Sequence, residues 1–339
     1  MSRHTHSSNN AINPFFQITI GTITLVFLLI SFVFRPFVTS DIEPQKTIPQ
    51  PQELYHFKET AHEVKVGFVI RNFEEFDIVK NSFIVSGYVW FEFDPTIVSL
   101  KTISNFNFEQ ATILSKSPPT IRINGDRIIA TFDIRISARS GLQYNEFPFD
   151  DHRIYFVLSF ENISPRELYF ISSAREFIVS SDVSILGWKL RDTHVETSYL
   201  NNNLDALDAK KNITHPQVIF SLDYERLGIR YILLLILPLY LIFLLITLAY
   251  SLDDEYQSSI ISLTSGGISA IVAYRFVIES FSPSVGYFMN SDYFFFLFLV
   301  ASFVVFLSTI FKKHISRSMK KLILIIINGI IIIFSFTLI

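Results

Sequence analysis

The chain has no cysteine. That removes disulfides, thiolate metal sites and cysteine nucleophiles, and it leaves no cysteine count from which a redox compartment could be read. Charge of either sign is in balance, with 28 Lys and Arg against 31 Asp and Glu in 339 residues, a net of -3. No overall field attracts nucleic acid, and basic clusters have to be read locally. The sequence contains no Gly-rich phosphate loop and no nucleophile elbow. His56, His62, His152, His194 and His215 lack the spacing of metal ligands. No enzyme activity, metal or cofactor is therefore expected. There is no internal repeat of the kind that builds transporters.

Apolar residues, by contrast, are abundant. Half of the chain is hydrophobic, 36 residues are phenylalanine, and mean hydropathy is +0.38. This composition predicts a membrane protein with a soluble part.

Residues 1–12 are polar and read as a cytoplasmic N-terminus. Residues 13–34 are apolar and long enough to cross a bilayer. They read as an uncleaved anchor; the alternative is a secretory signal, for which Val38-Thr39-Ser40 is a weak cleavage site. Residues 35–52, with prolines at 36, 44, 49 and 51, read as an extended linker. From 53 to 226 the pattern becomes short alternating runs rich in Val, Ile, Phe and Tyr, clearest at 64–73, 82–93, 128–137, 153–160 and 217–224. Asn124-Gly125-Asp126 predicts a hairpin turn. Many strands without an amphipathic helix between them predict an antiparallel β-sandwich.

Four hydrophobic segments follow in 227–339: 231–252, 258–280, 293–311 and 322–339. Lys312, Lys313, Arg317, Lys320 and Lys321 between the last two mark that loop as cytoplasmic. Counting back, the 282–290 loop and the β-region lie outside, the Asp253-Asp254-Glu255 turn lies inside, and the N-terminus lies inside if the first segment is retained. The predicted class is an extracellular or periplasmic β-sandwich joined to a transmembrane four-helix bundle, with an extra N-terminal transmembrane segment.

One segment carries a polar stripe. At about 100° per residue, Ser258, Ser262, Ser265, Ser269, Phe276 and Ser280 share one narrow arc, while Ile260, Leu263, Ile271, Tyr274 and Ile278 face away. Serines in membrane helices also bond to their own backbone or join helices. Four on one face at spacings of four, three and four fit a helix lining a wet pathway.

The order of parts resembles the pentameric ligand-gated ion channels, and local motifs add to the likeness. Glu146-Phe147-Pro148-Phe149-Asp150-Asp151-His152 is similar to that family's aromatic-Pro-Phe-Asp-x-Gln loop, with His152 where Gln is common. Asn81-Ser82-Phe83 through Tyr88-Val89-Trp90-Phe91 is similar to its second strand. Arg226 and Pro238 stand at the spacing of the arginine before the first helix and that helix's proline. Ala273-Tyr274-Arg275-Phe276-Val277-Ile278-Glu279, then Pro283 and Tyr287, resemble the outer end of its pore helix and the following loop. The likeness covers about 60–339, and bacterial members of the family also lack the loop cysteines.

The resemblance implies a homopentamer in a cell (inner) membrane, its β-domain sensing a small-molecule agonist or protons and its second helix lining the ion path. The charge rings would be Glu255 and Glu279, favouring cations. Coupling would run through Asp77, Phe147, Pro148, Phe149, Asp150, Arg226 and Pro283, with Arg226 meeting Asp150 and Asp77. Trp90, Tyr88 and Tyr199 would be ligand-binding candidates, although aromatics on a strand are commonly core. Partners would be further copies, lipid, permeant ions and agonist, with no nucleic acid. Ser269 stands where the family commonly places a bulky aliphatic ring, which moves the expected barrier outward to Phe276. The competing expectation is a non-conducting receptor or binding module of the same architecture.

Overall fold

The computed structural model describes residues 11–47, 61–160, 163–203, 212–227, 229–311 and 315–338. Residues 1–10, 48–52, His56, Asn162, Lys312 and Lys313 lie outside the described residues, as do the side chains of Asp254 and Asn212. Two compact units are present. One comprises Met1–Val38, Tyr144–Asp150 and Leu227–Ile339, the other Thr39–Gln143 and Asp151–Arg226.

The β unit contains eleven strands among the described residues: β1 His62–Asp77, β2 Ser82–Phe93, β3 Asn107–Glu109, β4 Ala111–Lys116, β5 Thr120–Asn124, β6 Arg127–Ala138, β7 His152–Ser159, β8 Leu168–Ile171, β9 Phe177–Val179, β10 Trp188–Asn203 and β11 Asn212–Arg226. Seven form one sheet along β4-β6-β2-β1-β8, with β5 on β6 and β9 on β1, and four form a second sheet in the order β10-β11-β7-β3. β2 alternates half-buried and buried residues along its whole length, the period of a strand with one face inward. Phe68 of β1 meets Phe108, Phe156 and Phe220 of the second sheet with ring centroids 5.5–5.8 Å apart, so phenylalanine supplies the core. Asn124 pairs with Arg127 around Gly125, whose φ of +64° is open to glycine without strain.

The first sheet is mixed, which differs from the antiparallel expectation: β8 and β9 run parallel to β1. β10 is a second departure. It is a 16-residue strand paired with β11, in a stretch outside the runs that read most clearly as strands. Polar residues fill inward positions, Thr193 half-buried and Ser198 buried, and the register shifts between Leu190 and Asp192, so alternation of hydrophobicity does not show.

The helical unit has five helices long and apolar enough to cross a membrane: α1 Pro14–Val33, α2 Ile232–Ser251, α3 Gln257–Phe281, α4 Asn290–Ile310 and α5 Arg317–Leu338. α2 opens with a π turn over Ile232–Ile236 directly before Pro238; proline lacks the N–H that would close a regular turn there. Tyr240 and Phe243 of α2 pack on Phe298 of α4, and Phe294 of α4 packs on Phe334 of α5. α1 lies in the same unit and is packed rather than free: Gln17, Gly21, Thr24, Leu28, Ser31 and Phe32 are buried.

Candidate functional site

α3 is the least covered of the five long helices. Only Ile260, Thr264, Ile271 and Ile278 are buried in it, and at about 100° per residue they fall opposite the serine arc. Ser258, Ser262, Ser265, Ser269, Phe276 and Ser280 are all exposed in the single chain, Phe276 at 78%. Of the residues expected on the covered side, Leu263 is exposed and Tyr274 half-buried, the Tyr274 hydroxyl donating to the Leu234 carbonyl. Gly267 lets α2 come close: a Cβ there would stand 2.3 Å from Ile246 Cγ1. α3 is thus held along one line and open along the other.

Three of the stripe hydroxyls donate along their own helix, Ser265 to Ser262 O at 3.3 Å and Ser269 to Ser265 O at 3.0 Å among them. Ser280 donates to Val277 O at 2.7 Å. A serine whose proton is engaged this way still has oxygen lone pairs facing outward, so the stripe offers acceptors. Glu255 is exposed at the start of the helix. Glu279 is exposed at its other end and lies 3.3 Å from Arg275. Arg275 also pairs with buried Asp292 and lies over the Phe295 ring, which turns its charge towards α4 and away from the serines.

At that end a cavity of about 540 Å³ is lined by Arg275, Glu279, Pro283, Tyr287, Met289 and Asp292, among others. Beside it, the Tyr144–Asp150 stretch meets the start of α4. Asn290 N–H donates to Asn145 O at 2.9 Å, Ser291 N–H to Phe147 O at 2.9 Å, and Tyr144 N–H to the Tyr287 hydroxyl at 2.9 Å. The first N–H groups of a helix have no partner within it, and here carbonyls of this loop satisfy two of them. Phe147, Pro148, Phe149 and Asp150 are all buried. Pro283 is buried too, but the three hydrogen bonds just given go to 287–291, further along the same connection.

In the β unit, Tyr88 and Trp90 are half-buried on β2. They line a cleft of about 540 Å³ together with Arg71, Glu92, Arg122 and Asp133. Arg71 lies over Tyr88 and pairs with Asp133, while Lys65 lies 5.8 Å from the Trp90 ring centre. Gly67 makes room for that ring, since a Cβ there would fall 2.2 Å from Trp90 Cε2. Tyr199 is on β10, in the other sheet, and is only 8% exposed. Within one chain the three aromatic candidates therefore do not share a site. Burial raises the Tyr199 hydroxyl above its ordinary pKa.

Arg226 is 5% exposed. Its backbone N–H donates to Asp151 Oδ1 at 3.0 Å, and its guanidinium stacks 4.2 Å over the Trp188 ring centre, a stronger cation–π contact when out of water. Asp77 is engaged by Lys80, which gives it a backbone N–H at 2.9 Å and an ammonium at 3.0 Å. Desolvation pushes the Asp77 carboxyl up, but the hydrogen bonds from Lys80 and Val79 outweigh it and leave the group below its ordinary value. Asp150 belongs to the helical unit.

Sequence reasoning missed Asp41. Its buried carboxylate takes Gln143 N–H at 2.8 Å, Arg153 N–H at 2.7 Å and His152 Nδ1 at 3.1 Å. A lone acid in a proline-rich stretch gives no signal of this. No cluster of three or more His, Asp or Glu residues able to hold a metal occurs among the described residues. No protein-family model matches the chain, and no curated protein matches it.

Proposed function

We propose that the chain is one subunit of a homopentameric, ligand-gated, cation-conducting channel of the inner or cell membrane. Its two sheets read as a β-sandwich on the outer side, and α2–α5 read as the four-helix bundle of the pore domain, with α1 an addition. The reading rests on α3: a helix of membrane-spanning length that buries one apolar line and leaves every member of its serine arc uncovered. A hydroxyl-lined face is a poor surface for lipid. One helix cannot enclose a pathway, whereas five copies about an axis can.

Outward lone pairs on the serines and acidic side chains at both helix ends favour cations. The exposed Phe276 would form a ring that closes the path by dewetting. Because the Tyr88 and Trp90 cleft and Tyr199 lie on separate sheets, a shared agonist site would be completed by a neighbouring copy. The carbonyls of Asn145 and Phe147 on the first turn of α4 support a role for 144–150 in passing movement of the sheets to the helices.

The test is voltage clamp of the purified chain in a planar bilayer, with pH steps and small amines as stimuli. Evoked currents whose reversal follows the cation gradient support the reading. Reversal that follows chloride removes the cation part, and a closed, silent pentamer under every stimulus favours a non-conducting receptor.

A further inference from the structure

α1 has the length of an anchor and the packing of an internal helix. Gln17, 1% exposed, donates to Thr247 O at 2.9 Å and accepts from Ser251 Oγ at 2.5 Å. The Thr24 hydroxyl is 2.8 Å from Asn328 Oδ1 on α5, and the Tyr240 hydroxyl donates to Gly21 O at 2.6 Å. Ile12 N–H donates to Tyr250 O at 2.8 Å. Glycine at 21 permits the approach, because a Cβ would stand 2.6 Å from Leu244 Cδ1. Without α1, buried polar groups on α2 and α5 would face hydrocarbon unbonded, which membrane helices avoid. A cleaved leader or a loose tether has no need of such pairs.

The end of α1 and the chain beyond it are placed with equal specificity. Phe32 sets its ring 4.3 Å from that of Phe149 at 66°, and Arg35 donates to the Phe149 carbonyl. A few residues on, within the β unit, Asp41 holds Gln143 and Arg153 by their backbone N–H groups, the residues on either flank of 144–150. Ile42 N–H donates to Gly141 O at 2.7 Å. Two observations, each internal to its own unit, thus converge on the same short loop, whose carbonyls receive the first N–H groups of α4.

We infer that α1 is retained as a permanent fifth helix and that, through Arg35 and Asp41, the N-terminal segment positions residues 144–150 on the start of α4. Both are positioning residues, and the inference stands whether or not α3 lines a pore.

The experiment is hydrogen–deuterium exchange with mass spectrometry on the full chain purified in detergent, after an intact-mass measurement. The expected mass includes residues 13–34. Arg35→Ala raises exchange about tenfold in peptides covering 144–150 and 288–292 and leaves peptides from β1 and β2 unchanged. Arg35→Lys, which keeps a donor, stays within about twofold of the parent. Asp41→Ala raises exchange at 141–153 in the same selective way. Thr24→Cys with Asn328→Cys, in a chain with no other thiol, cross-links on oxidation, read as a disulfide-linked pair of peptides containing residues 24 and 328 after complete digestion of the denatured chain. A mass beginning after residue 34, unaltered exchange at 144–150 in Arg35→Ala, or an equal rise across all peptides would overturn the inference.

Discussion

α1 and α3 carry the same kind of pattern and put it to opposite use. In α1 the small or polar residues Gln17, Gly21, Thr24 and Ser31, with Leu28 among them, recur at spacings of four and three, and they are the buried line. Phe15, Ile18, Ile23, Val26 and Ile30 face outward, as a lipid-facing helix should. α3 has serines at the same spacings, yet its buried line is Ile260, Thr264, Ile271 and Ile278. A polar stripe thus says that one side of a membrane helix avoids lipid; whether protein or water meets that side depends on which face the neighbouring helices take. α1 gives its stripe to α2 and α5. α3 keeps its own uncovered, and this is the physical basis for assigning water to it.

The widest separation should come from thiol accessibility, because the parent has no cysteine. Single cysteines at Ser262, Ser265 and Ser269 should react with a charged thiol reagent from the aqueous phase more than about a hundredfold faster than cysteines at Ile260, Ile271 or, on α1, Thr24 and Ile23. Equal rates on the two lines of α3 would erase the contrast. Next in size, under the proposed channel function, Ser262→Leu with Ser265→Leu should cut single-channel conductance by about tenfold or more. Thr19→Leu with Thr22→Leu, on the outward side of α1, should leave it unchanged.

Phe276→Ala tests where the path closes: a resting leak is expected, and an equally tight resting channel would displace the barrier. Stability should reverse the ranking of the two helices. Gln17→Leu removes a buried partner and should cost about 1–2 kcal/mol, read as loss of melting temperature in detergent, whereas Ser262→Ala should stay within about 0.5 kcal/mol. The smallest effect lies outside the helices. The lowered pKa of Asp77 means that the contribution of this group is present above its unfolded value near 3.8 and fades as pH falls through the lower folded value. Asp77→Asn should therefore flatten the acid limb of the melting-temperature profile slightly and leave neutral pH nearly unchanged.

Much of this architecture is legible in the residues. Apolar runs of bilayer length gave the helices, 82–93 gave β2 to the residue, and the Asn124-Gly125-Asp126 turn closed the hairpin it predicted, because each is decided by local chemistry. β10 was not legible, since its pairing with β11 depends on a partner rather than on its own apolar face. The place of α1 was hidden for the same reason, although the recurrence from Gln17 to Ser31 was readable by the count applied to the serines of α3. The Arg35 and Asp41 contacts join residues separated by 114 and 102 positions, and nothing local encodes them. The assignments of Trp90, Tyr88 and Tyr199 rested on resemblance, and burial divides them: two line a cleft while Tyr199 is covered.

The bonds of α1 also set a schedule. Gln17 finds Thr247 across 230 positions and Thr24 finds Asn328 across 304, so during synthesis α1 waits for α2 and then for α5. At about 5–20 residues per second, its polar groups wait about 15–60 s before their partners exist. During that interval α1 carries buried-type amide and hydroxyl groups that have not yet met their partners on α2 and α5, a cost that lasts until both helices are made.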